Sequence, residues 1–215
     1  RLNKRTKNMK AHTKETQAAM TLKSSVDGLM EGNQRFLNKQ PIQRDLLDQV
    51  RDTATGQYPF AAVLSCIDSR IPTEVIFDQG IGDIFNARIA GNFINEDILG
   101  SLEFACKLAG SKVIMVMGHT SCGAVKGACD HAKLGNLTQM LDKIMPAVDA
   151  IPTAEGEERN SSNKEFVNAV SAKNVEIAVT QIKEKSEVLK EMFDNGEIDI
   201  VGAMYDVSTG KVDLL

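Results

Sequence analysis

Several features that mark specialised classes of protein are scarce or missing in this chain. No run of apolar residues approaches the roughly 20 that a membrane-spanning helix needs. Only 5 prolines occur in 215 residues, and 42% of the residues are hydrophobic, which argues against a disordered chain. The 4 cysteines are too few for a disulfide scaffold at this length, so metal or redox chemistry has to be considered. Tryptophan is absent.

An excess of charge of one sign is missing as well. The 25 basic and 29 acidic residues give a net charge of −4. A mildly acidic chain with charges of both signs does not suit a protein that coats nucleic acid or anionic membranes, so we expect neither as a partner. A length of 215 residues suits one compact α/β domain, or one domain with an arm. We therefore expect a globular protein with a catalytic role.

The N-terminal segment differs in composition from the rest of the chain. The stretch RLNKRTKNMKAHTKETQ is polar and predominantly basic, with no apolar run that could serve as a secretory leader. We predict a polar N-terminal arm over residues 1–23 and a single domain over residues 24–215. The missing leader and unpaired thiols predict a cytoplasmic location, or a periplasmic one if a leader was removed upstream of Arg1.

Short apolar runs alternate along the chain with segments of helical periodicity. The apolar runs predict strands over residues 61–64, 84–89, 113–117 and 198–205. The helical patterns run from residue 24 to about 37, around 46–55, and over 72–79, 96–108, 124–128, 134–148 and 165–193. Strands that alternate with helices indicate parallel β-α-β units with right-handed crossovers. The fold class predicted is α/β: a single domain with a mostly parallel central β-sheet flanked by helices, plus an N-terminal helical arm.

Residues that can bind a metal follow two of the predicted strands. Cys66 and Asp68 come after the first strand, and His119 and Cys122 come after the third. Ligand sites in open parallel sheets form beyond the carboxyl ends of the strands, so these four residues are expected to meet. Thiolates and imidazole are ligands that zinc prefers, and four donors match its tetrahedral coordination. The Cys-x-Asp spacing also allows both side chains to leave the strand on one side.

Taken singly, these residue types usually have ordinary roles. A cysteine after a buried strand is commonly a small hydrophobic residue, and Cys106 and Cys129 are interpreted in that way. His12 and His131 are interpreted as surface residues rather than proton shuttles, because titration near neutral pH alone does not make a shuttle. The joint pattern at two strand ends is what indicates a metal site.

The two motifs together resemble those of one enzyme family. The segment Cys66-Ile67-Asp68-Ser69-Arg70, followed by Gly118-His119-Thr120-Ser121-Cys122-Gly123, is similar to the β-class carbonic anhydrases, and the likeness runs from about residue 31 to residue 207. The resemblance implies one Zn2+ per chain, held by Cys66, His119 and Cys122. It implies that Asp68 and Arg70 form a catalytic dyad. The implied reaction is the reversible hydration of CO2 to bicarbonate and a proton by zinc-bound hydroxide.

Four further positions match the substrate pocket of the plant-type branch. Gln57 corresponds to a glutamine that hydrogen-bonds the substrate, and Phe85 to an aromatic residue that lines the pocket. Phe104 stands where that branch has tyrosine, and Ala90 where it has valine, so the pocket stays apolar but changes shape. The family is typically dimeric, which implies a dimer or a dimer of dimers in which Gln57 and Phe104 face the zinc of the other subunit.

The resemblance also predicts how the fourth zinc position is used. In a bicarbonate-regulated branch of the family, the aspartate binds zinc directly and blocks catalysis. Members of that branch carry tryptophan three residues before the first cysteine. Here that position is Val63. We therefore predict the open arrangement, in which Asp68 pairs with Arg70.

Three alternatives keep the same residues and change their use. The first is hydrolysis of carbon disulfide or carbonyl sulfide on the same zinc, since two substitutions alter the shape of the pocket. The second is a structural zinc protein with the carboxylate as a permanent fourth ligand, although Arg70 and Gln57 have no use in such a site. The third is a thiol-redox protein that uses Cys66 and Cys122, although the chain lacks a C-x-x-C pair.

Overall fold

A computed structural model describes residues 9–215 and has the α/β architecture predicted from the sequence. Its sheet has five strands: β1 Ala61–Ser65, β2 Ile84–Arg88, β3 Val113–His119, β4 Asp199–Tyr205 and β5 Val212–Leu214. Their order in the sheet is β2-β1-β3-β4-β5. The pairings among β1, β2, β3 and β4 are parallel, whereas β5 pairs with β4 in antiparallel orientation. The predicted fold class is confirmed.

Helices cover both faces of this sheet. They are α1 Lys14–Ala18, α2 Leu22–Leu37, α3 Leu46–Thr53, α4 Thr73–Ile76, α5 Glu96–Glu103, α6 Gly123–Cys129, α7 Gly135–Asp142, α8 Met145–Ala150, α9 Lys164–Lys185 and α10 Glu187–Asp194. A π-helical segment, Phe104–Leu108, continues directly from α5. Among residues 9–215, none of the helices is both long and apolar enough to cross a bilayer.

The two central strands are buried along their whole length. Every residue of β1 and β3 is buried, as continuous apolar runs in parallel sheets usually are. Alternate residues face different cores, so that Val63 packs on one side of the sheet and Leu64 on the other. Ser65 pairs with Met117 in the register of β1 and β3. Cys66 therefore leaves β1 beside the last residues of β3, which runs two residues further than predicted, to His119.

Two long predicted helices are each divided in the structure, so those predictions are wrong. The segment 134–148 forms α7 and α8, and Pro146 lies in the first turn of α8, where its missing N–H costs nothing. The segment 165–193 forms α9 and α10. Ser186 separates them because its backbone is extended and its side chain accepts a hydrogen bond from the N–H of Leu189. The hydrophobic periodicity continues through each segment, but local features of the chain end one helix and start the next.

Part of the predicted N-terminal arm lies outside the described residues, namely residues 1–8. The described part contains α1 and the start of α2, which begins at Leu22, so the boundary proposed after residue 23 falls in the first turn of a helix. Gln17 is buried and donates hydrogen bonds to the carbonyl oxygens of Pro59 and Ala109 at 2.7 and 2.8 Å. These bonds connect α1 to the domain. The division into arm and domain stays a prediction.

Candidate metal centre and active site

The ends of β1 and β3 bring three metal-binding side chains together. Cys66 directly follows β1, His119 is the last residue of β3, and Cys122 is the N-cap of α6. All three are buried, and their ligand atoms lie within 4.8 Å of one another. The sulfur atoms of Cys66 and Cys122 are 4.0 Å apart. The ends of two strands and the start of α6 thus place these three side chains around one point.

The geometry of this cluster fits a zinc ion. Two sulfurs that each lie about 2.3 Å from one tetrahedral ion are roughly 3.8 Å apart, close to the separation observed. The Nδ1 atom of His119 lies 2.9 Å from the carbonyl oxygen of Thr120, which assigns the ring proton to Nδ1. The Nε2 lone pair then faces the sulfurs, buried and with no hydrogen-bond partner among the described residues. One imidazole and two thiolates leave a fourth position for water.

The two thiols are electrostatically unequal. The pKa of Cys66 is lowered, chiefly because Cys122 donates a hydrogen bond to its sulfur, and burial opposes this shift. The pKa of Cys122 is raised by that same hydrogen bond and by burial. One thiolate is therefore favoured before a cation arrives, and a cation would draw the second proton away. By contrast, burial raises the pKa of Cys106 to about 12, as befits a packing residue.

Asp68 and Arg70 form a two-pronged ion pair beside the cluster. The guanidinium of Arg70 donates from Nε to Oδ1 at 2.9 Å and from Nη2 to Oδ2 at 2.7 Å. These bonds hold the pKa of Asp68 well below its usual range. The Oδ2 atom of Asp68 lies 3.8 Å from Nε2 of His119. The carboxylate is therefore ionised and borders the position where a metal ligand would sit.

A small cavity opens beside these residues. Its volume is about 280 Å³, and Cys66, Asp68 and Ala90 line it. The remaining lining residues are mainly apolar or glycine: Ile67, Gly123, Ala124, Gly127, Leu137, Met140 and Leu141. Ala90 therefore lines the same cavity as Cys66 and Asp68 of its own chain, and its role in substrate binding stays a prediction.

The other three pocket candidates lie away from this cavity. Phe85 and Phe104 contact each other edge to face, with ring centroids 6.1 Å apart, and line a separate cavity of about 610 Å³. Phe85 packs against the core on one face of the sheet, whereas Cys66 belongs to the core on the other. Gln57 is exposed in the connection between α3 and β1. The structure does not bring these three residues to Cys66, His119 and Cys122 of the same chain.

Two residues that the sequence does not single out contact the segment that contains Cys66 and Asp68. Arg88, at the end of β2, donates hydrogen bonds to the carbonyl oxygens of Cys66 and Asp68 at 2.8 and 2.7 Å. The backbone N–H of Gly91 donates to the sulfur of Cys66 at 3.3 Å. Nothing in the local sequence reveals these long-range bonds. The available signal is that a cationic residue ends β2 and a glycine lies three residues beyond it.

The proteins that this chain resembles in sequence and in structure are carbonic anhydrases. The chain matches the family model for carbonic anhydrase over residues 61–212. Carbonic anhydrase 2 of Mycobacterium tuberculosis is 33% identical over 192 residues, covering 86% of this chain and 89% of that protein. The crystal structure of the β-carbonic anhydrase CafA of Aspergillus fumigatus has a TM-score of 0.65 and 28% identity, covering 77% and 79% of the two chains. A structure from work on two tetrameric β-carbonic anhydrases of Sordaria macrospora has a TM-score of 0.68 and 22% identity, covering 89% and 93%, which shows the fold alone.

Proposed function

The chain belongs to the β-class carbonic anhydrase family, and we propose that its zinc ion is held by Cys66, His119 and Cys122, with Asp68 and Arg70 as the catalytic pair. As a member of that family it is a zinc-dependent carbonate dehydratase, which interconverts CO2 and bicarbonate. One observation supports the residue assignment above the others. Three buried ligands meet at a single point, and an ionised carboxylate lies at the wall of the adjoining cavity.

A zinc ion bound by these residues would act as a Lewis acid and would lower the pKa of a water molecule on it from about 15.7 towards about 7. The two thiolates compensate its double positive charge, so the burial of the site costs less. Asp68 is placed to accept a hydrogen bond from the attacking oxygen and to orient its lone pair towards the carbon of CO2. Arg70 keeps Asp68 ionised and fixes its direction through the two parallel hydrogen bonds.

The cavity suits a substrate that is small and uncharged. CO2 offers no charge and little hydrogen bonding, so a protein can bind it only weakly and mainly through apolar contact. Ala90, Leu137 and Met140 supply such contact within reach of Asp68. Specificity therefore depends on the cavity, and rate depends on the nucleophile.

Stopped-flow measurement of CO2 hydration between about pH 6.5 and pH 9, on protein assayed for zinc, tests this function. We expect one zinc per chain and hydration already present at pH 7. Carbon disulfide and carbonyl sulfide are assayed beside CO2 as comparison substrates. One zinc without hydration at any pH would contradict the function and leave the sulfur substrates or a structural metal. Hydration that begins only above about pH 8 would contradict the open arrangement of Asp68.

We further propose that the active unit is a homo-oligomer, a dimer or a dimer of dimers. Gln57, Phe85 and Phe104 of one copy would complete the cavity of a second copy. Phe104 is 50% exposed although it packs against Phe85. Burying the rest of such a ring stabilises an interface by roughly 1 kcal/mol, half of what a whole side chain contributes. The strand that carries Phe85, β2, is also an edge strand of the sheet formed by residues 9–215, and an edge strand can face another copy.

Mixed oligomers test which copy supplies Gln57 and Phe104 to each cavity. One variant, Cys122→Ser, loses its own zinc site, and the other carries Gln57→Ala with Phe104→Ala. We expect each alone to be weak or inactive, and the coexpressed pair to recover activity because one complete site per dimer forms. The control adds Gln57→Ala and Phe104→Ala to the Cys122→Ser chain and should abolish recovery. Mixed dimers, verified by mass, that show no recovery would contradict the proposal.

A cytoplasmic location is proposed from the thiols. All four cysteines are free and buried. Because zinc thiolates have to stay reduced, a reducing compartment suits them. Fractionation of cells that express the native gene tests this, and activity confined to an oxidising compartment would contradict it.

A further inference from the structure

Helix α9 carries a row of polar side chains on the side that faces the metal-binding loops. Asn168, Ser171 and Asn174 are three residues apart, so they fall on neighbouring positions of one helix side over a rise of about 9 Å. Asn174 is 3% exposed and Ser171 is 2% exposed. Among the described residues, the Ser171 hydroxyl donates its one hydrogen bond within the helix, to the carbonyl oxygen of Val167. The two asparagines instead bond to the loops that carry the zinc ligands.

Asn174 acts on the loop that contacts Cys66. Its Nδ2 donates to the carbonyl oxygen of Gly91 at 2.7 Å, and the N–H of Gly91 donates to the Cys66 sulfur at 3.3 Å. Gly91 has a φ of +78°, and an added Cβ would lie 2.5 Å from Cδ1 of Ile144. Glycine is therefore required there, and glycine alone does not fix a conformation. The bond from Asn174 fixes the Gly91 turn, and the turn aims its N–H at the sulfur.

Asn168 acts on the loop between His119 and Cys122. Its Oδ1 accepts a hydrogen bond from the N–H of Ser121 at 3.0 Å. Ser121 has a φ of +55°, a left-handed conformation that few residues other than glycine adopt. A hydrogen bond that fixes the backbone of Ser121 also fixes the distance between the imidazole of His119 and the thiol of Cys122. One helix thus fixes both loops.

We propose that Asn174 and Asn168 are positioning residues for the zinc site, an inference that depends on the proposed function. Neither residue belongs to the ligand cluster or to the lining of the adjoining cavity. Asn174 keeps the Gly91 N–H directed at the Cys66 sulfur, and a donor there would withdraw charge from the thiolate and make a bound zinc ion a stronger Lewis acid. Asn168 keeps His119 and Cys122 at the separation that one ion needs. Groups that orient ligands in this way typically change metal affinity by 10–100-fold.

The test measures zinc affinity by competition with a chelator. We expect Asn174→Leu to weaken zinc binding about 10–100-fold, and Asn168→Ala to weaken it about tenfold. Ser171→Ala is the matched control, since it removes a buried polar group from the same side of α9 without touching either loop. Its zinc affinity should stay within about twofold of the unmodified protein.

A second readout separates positioning from general stability. With Co2+ in place of Zn2+, the sulfur-to-cobalt charge-transfer band should shift in Asn174→Leu and remain unchanged in Ser171→Ala. Thermal unfolding of the metal-stripped proteins measures the structural cost of each change. Equal weakening of zinc binding in all three variants, or an unshifted cobalt band in Asn174→Leu, would overturn the inference. If Asn174→Leu fails to fold, Asn168→Ala, at a half-buried position, decides the outcome.

The unmodified protein separates this inference from the function on which it depends. If it binds one zinc and does not hydrate CO2, the proposed function fails, and metal affinity still tests the two asparagines. If it hydrates CO2 and the asparagine variants bind zinc normally, the function stands and the inference fails.

Discussion

Replacing Cys122 by serine is expected to remove zinc from the protein and abolish CO2 hydration. A serine hydroxyl does not ionise near neutral pH, so the cluster would keep one thiolate and one imidazole. The lost donor comes from a buried site, and the neighbouring carboxylate of Asp68 is already paired with Arg70. We expect zinc content to fall from one per chain towards zero, and hydration to fall by more than about a thousandfold. Elemental analysis and stopped-flow assays measure both.

The same substitution at another buried thiol provides the control. Cys129 is 2% exposed, and burial raises its pKa to about 11, so it is a neutral packing residue. Cys129→Ser should cost about 1–3 kcal/mol of stability, because a hydroxyl is placed in an apolar setting, and should retain zinc and activity. Full zinc and full activity in Cys122→Ser would show that the ligand set is different. When a chelator removes zinc from the unmodified protein and zinc is then added back, CO2 hydration should return completely.

The core of the candidate site could be predicted from sequence because it depends on local order. Cys66 follows β1 and His119 ends β3, and parallel strands place their carboxyl ends at one edge of the sheet. Burial of β1 and β3 follows from continuous apolar runs, which are easily recognised. The spacing of Asp68 and Arg70 from Cys66 then places the ion pair at the same edge.

Other features depend on partners that are distant in sequence. Gly91 and Asn174 are 83 positions apart, and nothing near either residue indicates that they bond. The side of the sheet taken by Phe85 follows from the register of β2 against β1, which composition does not reveal. The breaks before Pro146 and at Ser186 are not evident from periodicity, because capping and periodicity compete over a few residues. Local pattern predicts the elements, and packing decides their contacts.

The last expectation concerns the carboxylate that is held beside the ligands. Asp68→Asn should lower CO2 hydration about 10²–10³-fold while the protein keeps its zinc, because the size of the side chain is preserved and its charge is lost. The amide would present one acceptor to Arg70 where the carboxylate presents two. It could no longer accept a hydrogen bond from the attacking oxygen while it stays paired with the guanidinium.

Two further variants make this result specific. Arg70→Lys keeps a positive charge but loses the two parallel hydrogen bonds, so we expect a smaller loss of about tenfold. Asp130→Asn is the matched control, because Oδ1 of Asp130 accepts its bond from the N–H of Ser161, and an amide oxygen can do the same. Unchanged hydration in Asp68→Asn would remove Asp68 from the catalytic pair. Loss of zinc along with hydration would mean instead that the Asp68 carboxylate supports metal coordination. Removing the charge of a group that only orients the attacking oxygen leaves the zinc in place, whereas removing the charge of a ligand releases it.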